Sequence, residues 1–589
     1  GYFMPDTSNI WENTPERYPE TWIEPRADGD LRLKPNYKKR QPMALRVNAE
    51  GQHAVDGTPG WYIPGSFGFC LRCGVVHNTA GKESLRLTGL SGEGRSSATT
   101  MLTLTALRYL YEDDNQLRPE AKKVLGFTDN RQDAALQVGH FNDFIQVVLI
   151  RAALLSATQN AGGSIDESGI ADAVFKALGF DRDDPSVRSE YMQDANIKGT
   201  ARRQVQDIMR GILGYRAYFD LRRGWRFNNP NLEQLGLLRI DYQDLDDLVT
   251  DAESWQDAPL ILLAASPATR KRVLTKLFDT MRQGLCLAAR FLDPTELDRL
   301  KTSSYANLRE PWGFTEDENP VSASWFITTS RPRDDDRRNA DYFVSGSARS
   351  KLGRELKQAS TWREEDGTEN PHAVKIKDEH CEEIVRALLN AAKTYGVVIS
   401  EETEFGITGY QLNGSSLLWS AGNGHSLRAA DDNDFFRSLY ANIAGLLANP
   451  VHRLFDFEAR EHTAQVEQDD RLEREARFRF TEKDRSSWLT VLFCSPTMEL
   501  GVDISSLNTV YMRNVPPTPA NYAQRSGRAG RAGQPALVIT YCAAQSPHDQ
   551  YFFRDPVRMV HGQVNPPTLD LANRELIQSH LHAVWLAET

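Results

Sequence analysis

Short apolar runs that end in polar loops occur in the first quarter of the chain and again near its end. The four runs span residues 121–129, 488–495, 508–512 and 536–541. Runs of this length, bounded by turn residues, are typical of strands buried in a parallel sheet. In open α/β sheets the functional loops lie at the carboxyl ends of such strands. The pattern therefore predicts an α/β domain with one polar, functional edge.

Helical periodicity dominates the sequence between the first run and the second. Apolar residues recur at helical spacing in residues 132–158, 208–219, 244–252, 268–292, 351–359, 378–395 and 435–447. The first of these helices is apolar on most faces, Leu136 included, and is predicted to be buried. Asn130 is its predicted N-cap, and Asp133 lies near its positive end. Because a sheet crossover needs far fewer residues, a large, mainly α-helical insertion is predicted to interrupt the sheet.

Two further strands are predicted inside this insertion, at residues 396–399 and 407–412. They follow a predicted helix, and helices followed by a β-hairpin suggest a winged helix, here at about residues 340–422. The turn of the hairpin carries several glutamates, so its tip is not expected to contact phosphate directly.

A cluster of glycines and arginines lies between the last two apolar runs. The segment Gln524-Arg-Ser-Gly-Arg-Ala-Gly-Arg531 spaces three arginines around two glycines. Glycine permits tight turns and close approach to a ligand, and the arginine fork matches phosphate oxygens. The cluster therefore predicts arginine fingers that neutralise charge on a transferred γ-phosphoryl group. A basic surface loop is the alternative interpretation.

Three segments resemble the motifs of superfamily 2 helicases. Ser495-Pro-Thr-Met-Glu-Leu-Gly-Val-Asp503 is similar to motif V, the arginine cluster to motif VI, and Phe127-Thr-Asp-Asn-Arg-Gln-Asp-Ala134 to motif IV. The spelling is similar to that of the large bacterial DEAD/DEAH-type helicases, which include MrfA-like repair helicases and the helicases of DISARM- and Druantia-type phage defence. The resemblance implies that the sheet is the second RecA-like motor domain.

The same resemblance implies a role for individual residues. The γ-phosphate arginines would be Arg528 and Arg531. The residues on the nucleotide side would be Gly501, Asp503 and Gln524. The residues in contact with nucleic acid would be Arg131, His462, Thr463, Ser495 and Arg525. A structural salt bridge for Arg131 and a structural role for His462 are the open alternatives.

The domain organisation follows from these motifs. The predicted parts are an extended lead-in (1–60), the end of a first motor domain or linker with a cysteine pair (61–115), the first part of the second RecA-like domain (116–158), the insertion (159–450), the part with motifs V and VI (451–545) and a helical extension (546–589).

Composition indicates the class of protein and the cellular location to expect. The chain has 589 residues, 40% of them hydrophobic and 25% charged, which is ordinary for a soluble multidomain protein. No apolar run approaches the roughly 18 residues of a membrane span, so no membrane partner is expected. Six cysteines in so long a chain do not form a disulfide scaffold, so a cytoplasmic location is expected. The net charge of −11 leaves room for a local basic channel.

Two segments outside the motifs carry candidate chemistry. Residues 202–226 interleave seven arginines with aromatic residues, which suits a track for single-stranded nucleic acid; arginine stems covering an aromatic core would give the same pattern. Cys70 and Cys73, followed by His77, have the spacing of a zinc knuckle. A structural Zn²⁺ takes four ligands, and no second pair lies nearby, so a degenerate knuckle or a pair of buried thiols remains the alternative.

A superfamily 2 motor also needs a Walker A loop and a Walker B acid, and neither pattern is found in this sequence. ATP and Mg²⁺ are therefore expected to bind mainly to a first RecA-like domain that this chain lacks, and the chain alone is expected to be inactive. We expect the carboxyl-side part of a longer ATP-dependent helicase that acts on DNA, preferably single-stranded. A role in anti-phage defence, with other complex subunits as partners, is favoured slightly over repair of the MrfA type. A non-catalytic scaffold subunit is a further alternative.

Overall fold

The computed structural model describes most of the chain. The described residues are 1–6, 11–18, 22–25, 31–48, 51–65, 68–69, 71, 83–111 (83–94 by backbone alone), 117–222, 230–309, 312–314, 318–330, 342–373, 376–425, 433–448, 457–480, 488–495, 507–530, 535–544, 546–562 and 573–588. They fall into two compact units. The larger unit comprises residues 1–92 and 143–455, and the sheet unit comprises residues 93–142 and 456–589.

The strands and helices are numbered here in chain order. The strands are β1 Tyr2–Pro5, β2 Ile23–Pro25, β3 Leu31–Leu33, β4 Met43–Val47, β5 Thr58–Ile63, β6 Val124–Phe127, β7 Leu238–Tyr242, β8 Leu287–Ala288, β9 Trp325–Ile327, β10 Phe343–Ser345, β11 Val398–Glu402, β12 Thr408–Asn413, β13 Leu417–Ala421, β14 Ala459–His462, β15 Val491–Cys494, β16 Thr509–Met512 and β17 Leu537–Thr540. The helices are α1 Glu83–Leu110, α2 Arg131–Asn160, α3 Glu167–Ala177, α4 Pro185–Tyr191, α5 Gly199–Asp220, α6 Leu245–Thr250, α7 Leu260–Leu263, α8 Pro267–Gln283, α9 Pro294–Asn307, α10 Lys351–Leu356, α11 Asp378–Thr394, α12 Asp434–Ala448, α13 Gln468–Arg479, α14 Pro519–Ser526, α15 Pro547–Arg554, α16 Val557–Val560 and α17 Arg574–Glu588.

The sheet unit is built on five parallel strands in the order β14-β15-β6-β16-β17. The middle strand, β6, comes first in the sequence, and its neighbours return only after the long intervening segment. All four apolar runs form strands of this sheet, so the prediction of an α/β fold with a parallel sheet is confirmed. The edge strand β14 was missed because its residues Arg460 and Glu461 break the apolar pattern.

The core of the sheet unit comes from the apolar runs themselves. Every residue of β6, β15 and β16 is buried. Phe478 of α13 belongs to the same core cluster, and Tyr522 of α14 packs against it. Burying each large apolar side chain contributes about 1.5–3 kcal/mol, so the two helices are held firmly on this sheet.

Helix α2 begins where the sequence predicts. The Asn130 side chain accepts a hydrogen bond from the amide of Asp133 at 2.8 Å, which confirms the predicted N-cap. The helix is long and apolar enough to cross a membrane, but 67% of its most apolar window is buried inside the protein, as in a core helix. Phe141, Phe144 and Val148 are buried as predicted, whereas Leu136 is 66% exposed. The prediction for Leu136 was wrong because the apolar stripe starts only in the following turns.

The larger unit contains most of the insertion. Its predicted helices are present, with one difference: the helix expected over residues 268–292 ends at Gln283, where Gly284 is the C-cap and Leu285 has a φ of 56°. The predicted hairpin is present as the antiparallel pair β11–β12. It belongs to a larger sheet of order β10-β9-β12-β11, with β8 paired to β12. The insertion is therefore mixed, and the winged helix stays a prediction.

The predicted extended lead-in is folded, so that prediction was wrong. Strands β1, β5 and β4 form an antiparallel sheet in that order. Trp11, Tyr18, Trp22 and Phe69 are buried together, with the Trp22 and Phe69 rings 5.0 Å apart. The strands are too short to show a clear alternation in a segment rich in proline and charge. The scattered aromatic residues supply the core instead.

Candidate functional site

The carboxyl ends of the parallel strands meet at one edge of the sheet, and polar residues follow each of them. Thr128, Asp129 and Asn130 follow β6 and form a loop with the motif IV spelling, here called the motif IV loop. Thr463 follows β14 and Ser495 follows β15. Because ligands of open α/β sheets bind outside the carboxyl ends of the strands, this edge is the candidate site.

The motif IV loop is held by its own hydrogen bonds. The Thr128 hydroxyl donates to the carbonyl oxygen of Asn130 at 2.9 Å and lies 3.3 Å from that of Cys494. The side-chain amide of Asn130 in turn donates to the carboxylate of Asp133 at 3.0 Å. Arg131, the first residue of α2, is exposed beside this fixed loop. Its position suits contact with a phosphate, and its role stays a prediction.

Helix α14 carries the first half of the arginine cluster. Thr518 caps it through the amide of Asn521 at 3.3 Å, and Pro519 occupies its first turn. Gln524 is exposed, as a residue that couples two domains would be. Arg525 is only 2% exposed, and its guanidinium lies 5.5 Å from the centre of the Phe127 ring. This buried position does not support direct contact with a nucleic-acid phosphate and assigns Arg525 to the internal support of the edge.

The glycines of the cluster make the turn that follows α14. The Gly527 amide donates to the carbonyl of Ala523 at 2.9 Å, and a Cβ at Gly527 would lie 2.8 Å from that oxygen. Gly530 has a φ of 75° and donates to the carbonyl of Leu507 at 2.8 Å, which ties the turn to the start of β16. Arg528 lies between them and is half-buried. Both glycines are therefore required by the backbone, and Arg528 is fixed by the turn that they form.

His462 and Thr463 are turned into the protein rather than towards solvent. His462 is fully buried, and its Nε2 lies 2.8 Å from a carboxylate oxygen of Glu475. Glu475 also accepts a hydrogen bond from Arg479 at 2.9 Å. Thr463 is 1% exposed. The expectation of direct nucleic-acid contact by these two residues is not supported by their burial, and the alternative of a structural His462 fits better.

Ser495 is likewise 1% exposed, with its amide 3.4 Å from the carbonyl of His462. Ser495 lies at the carboxyl edge of the sheet, as predicted, but it is buried there. The role of Ser495 in contact with nucleic acid stays a prediction.

Asp129 forms part of a charged cluster that the sequence did not single out. Its carboxylate accepts a short hydrogen bond from the Asn514 side chain and lies 3.9 Å from a guanidinium nitrogen of Arg95. Burial raises the pKa of Asp129, while the charges of Arg95, Arg525 and Arg513 act in the opposite direction. The motif IV loop and the motif VI helix are therefore within electrostatic reach of each other.

Arg513, directly after β16, was also missed. It pairs with Asp133 of α2 at 2.9 Å and contacts the Ser96 hydroxyl of α1 at 3.2 Å. A signal for it exists in the sequence: Arg513 and Asn514 are polar residues at the end of a buried run, as Ser495 is at the end of another. The same rule about strand ends would have found them.

Several candidate residues lie outside the described part of the chain. They are Cys70, Cys73, His77, Gly501, Asp503 and Arg531. Among the described residues, no group of three or more His, Cys, Asp or Glu side chains could hold a metal ion. Zinc therefore gains no support and stays a prediction.

The basic and aromatic segment at 202–226 is a core helix where it is described. Tyr215 and Tyr218 are almost fully buried. Arg216 forms a two-point pair with Glu318, at 2.5 and 2.9 Å, and Arg210 pairs with Asp172 at 2.9 Å while lying over a phenylalanine ring. For Arg210 and Arg216 these contacts favour the alternative interpretation, in which arginine stems cover an aromatic core.

The comparisons with known proteins agree with this geometry. Residues 437–533 match the helicase conserved C-terminal domain. This part of the chain is therefore similar to the carboxyl-side domain of superfamily 2 helicases, and that similarity implies a RecA-like fold for the parallel sheet.

Three relatives show the range of similar proteins. Druantia protein DruE of Escherichia coli (strain UMEA 4076-1) is 39% identical over 145 residues, which are 23% of this chain and 8% of DruE. ATP-dependent helicase hrq1 of Schizosaccharomyces pombe is 37% identical over 91 residues, 15% of this chain and 8% of that protein. DEAD-box ATP-dependent RNA helicase CshA of Geobacillus kaustophilus is 28% identical over 90 residues, 15% of this chain and 19% of CshA. The matched segments thus span less than a tenth of the length of the first two relatives.

Proposed function

We propose that this chain supplies the second motor domain of an ATP-dependent DNA helicase or translocase, with Arg528 and Arg531 as its γ-phosphate arginines. One observation carries the proposal. Arg528 sits in a turn fixed by Gly527 and Gly530, and this turn follows a helix packed on a RecA-like sheet. A turn with this backbone has a fixed place for a guanidinium, as charge stabilisation in phosphoryl transfer requires.

The residues of this chain would act by position. Bound ATP and Mg²⁺ supply the phosphoryl group and its counter-charge, and both would be held mainly by a first RecA-like domain. The turn at Gly527–Gly530 would hold Arg528 against the γ-phosphate when the two domains close. Exposed Gln524 would contact the nucleotide side, and exposed Arg131 would contact a phosphate of the DNA strand at the motif IV loop.

Substitution of the arginines tests this proposal in the intact protein that contains both motor domains. Arg528→Ala or Arg531→Ala is expected to lower ATP hydrolysis by about 10³-fold or more with little change in DNA binding. Arg554→Ala is the matched control, since Arg554 is an exposed arginine of the same unit in the last turn of α15. ATP hydrolysis at the parental rate in Arg528→Ala would overturn the proposal and favour a non-catalytic scaffold.

The proposed setting is anti-phage defence in a cytoplasmic complex with other subunits. It is supported by the similarity to DruE, which extends over more residues than the similarity to hrq1. Deletion of the gene is expected to raise phage plaque counts without sensitising cells to a DNA crosslinker. The hrq1 similarity favours the second candidate, a repair helicase, which predicts the opposite pattern.

A further inference from the structure

Two buried polar residues directly follow strand β16. Arg513 is 5% exposed and Asn514 is 8% exposed. A buried guanidinium is costly unless carboxylates and hydroxyls satisfy it. Its partners therefore show which elements the protein holds together at this point.

The partners of Arg513 belong to two helices. One guanidinium nitrogen lies 2.9 Å from the Asp133 carboxylate in the first turn of α2, and another donates to the Ser96 hydroxyl of α1 at 3.2 Å. The backbone amide of Arg513 also donates to the carbonyl of Phe127 at 2.9 Å. Arg513 thus joins the end of β16 to both ends of the motif IV loop, which runs from Phe127 to the start of α2.

Asn514 makes the same connection from the next position. Its side chain donates to Asp129 in the middle of the motif IV loop, and Asp129 faces Arg95 at 3.9 Å. Burial raises the pKa of Asp129, while the charges of Arg95 and Arg513 act in the opposite direction. Arg513 and Asn514 therefore add contacts at both ends and in the middle of a loop that its own hydrogen bonds already hold.

The chain beyond Asn514 leads directly to the motif VI helix. Val515 is 3% exposed, and Pro516 and Pro517 restrict the backbone that follows. The carbonyl of Pro516 also lies 3.0 Å from a ring nitrogen of His548. A connection this stiff would pass a shift of Arg513 on to α14 rather than absorb it.

We infer that Arg513 and Asp133 are positioning residues that couple the motif IV loop to the helix and turn that carry Arg528. In the working motor, a phosphate of the DNA strand at the motif IV loop would then alter the placement of Arg528 through this ion pair. The inference rests on the proposed function and extends it, because it assigns the pathway by which DNA stimulates ATP hydrolysis.

The test uses the intact protein with both motor domains and measures ATP hydrolysis with and without single-stranded DNA. Arg513→Met and Asp133→Asn are each expected to lower the ratio of stimulated to unstimulated hydrolysis by about fivefold or more, since coupling between sites is typically worth that much. The double variant is expected to lower the ratio no further than either single one, because both remove the same contact. Arg513→Lys, which keeps the charge, is expected to restore part of the ratio.

Arg477→Met is the matched control. Arg477 pairs with Glu458 at 2.5 Å in the same unit, but Glu458 precedes β14 and so lies at the opposite end of the sheet. This variant is expected to lose stability with an unchanged ratio. If it lowers the ratio as much as Arg513→Met does, or if Arg513→Met and Asp133→Asn leave the ratio unchanged, the inference is overturned.

Arg528→Ala separates this inference from the proposed function. If Arg528→Ala abolishes hydrolysis while both ion-pair variants are stimulated normally, the coupling inference fails alone. If Arg528→Ala hydrolyses ATP at the parental rate, the proposed function fails, and the coupling inference fails with it. Thermal denaturation of each variant shows whether it is folded, and Asp133→Asn replaces Arg513→Met should the latter not fold.

Discussion

Two buried cations, Arg282 of the larger unit and Lys123 of the sheet unit, have different kinds of partner. In the larger unit, Arg282 is fully buried and meets two carboxylates, Glu233 at 2.6 Å and Asp279 at 2.9 Å. In the sheet unit, Lys123 is 1% exposed and donates to the carbonyl oxygen of Phe478 at 2.6 Å, with its ammonium over aromatic rings. The first arrangement neutralises charge inside the unit. The second satisfies the ammonium with a carbonyl oxygen and aromatic rings.

The two units also contain similar arginine-rich sequence patterns that fold differently. Arginines mixed with aromatic residues at 202–226 and arginines mixed with glycines at 524–531 both suggested phosphate chemistry. In the first segment, Arg210 and Arg216 pair with acids distant in the sequence, Asp172 and Glu318, which no local pattern reveals. In the second, glycines impose the turn, and glycine spacing is readable from the sequence. Spacing that dictates backbone is therefore better evidence of local structure than composition is.

We expect the largest change in stability when the ion pair between Arg282 and Glu233 in the larger unit is broken. Arg282→Ala opens a cavity at a fully buried position and leaves the Glu233 carboxylate, only 14% exposed, without its partner, so we expect a loss of about 3–5 kcal/mol in the free energy of unfolding. Hydrogen exchange of peptides from residues 267–283 measures it locally. Arg299→Ala is the control, because Arg299 pairs with Glu296 at 2.8 Å but is 72% exposed; we expect a change below about 1 kcal/mol. Equal effects of the two substitutions would contradict the distinction by burial.

The second prediction concerns the cation of the sheet unit and its pH dependence. Burial lowers the pKa of Lys123 to about 8 from its ordinary value of 10.5. The cost of burying the charge is therefore fully present below about pH 8 and disappears as the pH rises towards 10.5. Relative to Lys123→Met, the wild-type protein should gain on the order of 3 kcal/mol in unfolding free energy over this range. Denaturant titrations of both proteins at pH 7 and pH 10 measure it; a constant difference would show that Lys123 is not desolvated.

The third prediction concerns the start of α2. Asn130→Ala removes the acceptor for the Asp133 amide and is expected to cost about 1 kcal/mol. Asn160→Ala, at the other end of the same helix, is the control and should change stability by less than about 0.5 kcal/mol. Thermal denaturation distinguishes them. An equal loss for both variants would mean that the cap does not stabilise this helix.

The parts of the molecule that could be predicted are those fixed by local chemistry. The four strands, three of them buried and β17 partly exposed, the Asn130 cap and the glycine turn all follow from residues that are neighbours in the sequence. The aromatic core of the lead-in and the pair between Arg513 and Asp133 join residues that are far apart, so no local pattern shows them. Burial of Arg525 and His462 also depends on packing, which decides whether a motif residue faces a ligand or supports one that does.

Arg131→Ala is expected to have the smallest effect on stability, and it gives the most direct test of a functional contact. Arg131 is exposed at the start of α2, so Arg131→Ala should change the unfolding free energy by less than about 0.5 kcal/mol. If it contacts a DNA phosphate, its loss should reduce the slope of log affinity against log salt by about one, because one fewer counterion is released. Fluorescence anisotropy of a labelled single-stranded oligonucleotide in a KCl titration measures this slope.

Arg118→Ala is the matched control, since Arg118 is exposed before the opposite, amino end of β6. A slope lowered equally by both variants would indicate nonspecific attraction over the whole unit. An unchanged slope in Arg131→Ala would remove Arg131 from the DNA path and make its structural role the better interpretation.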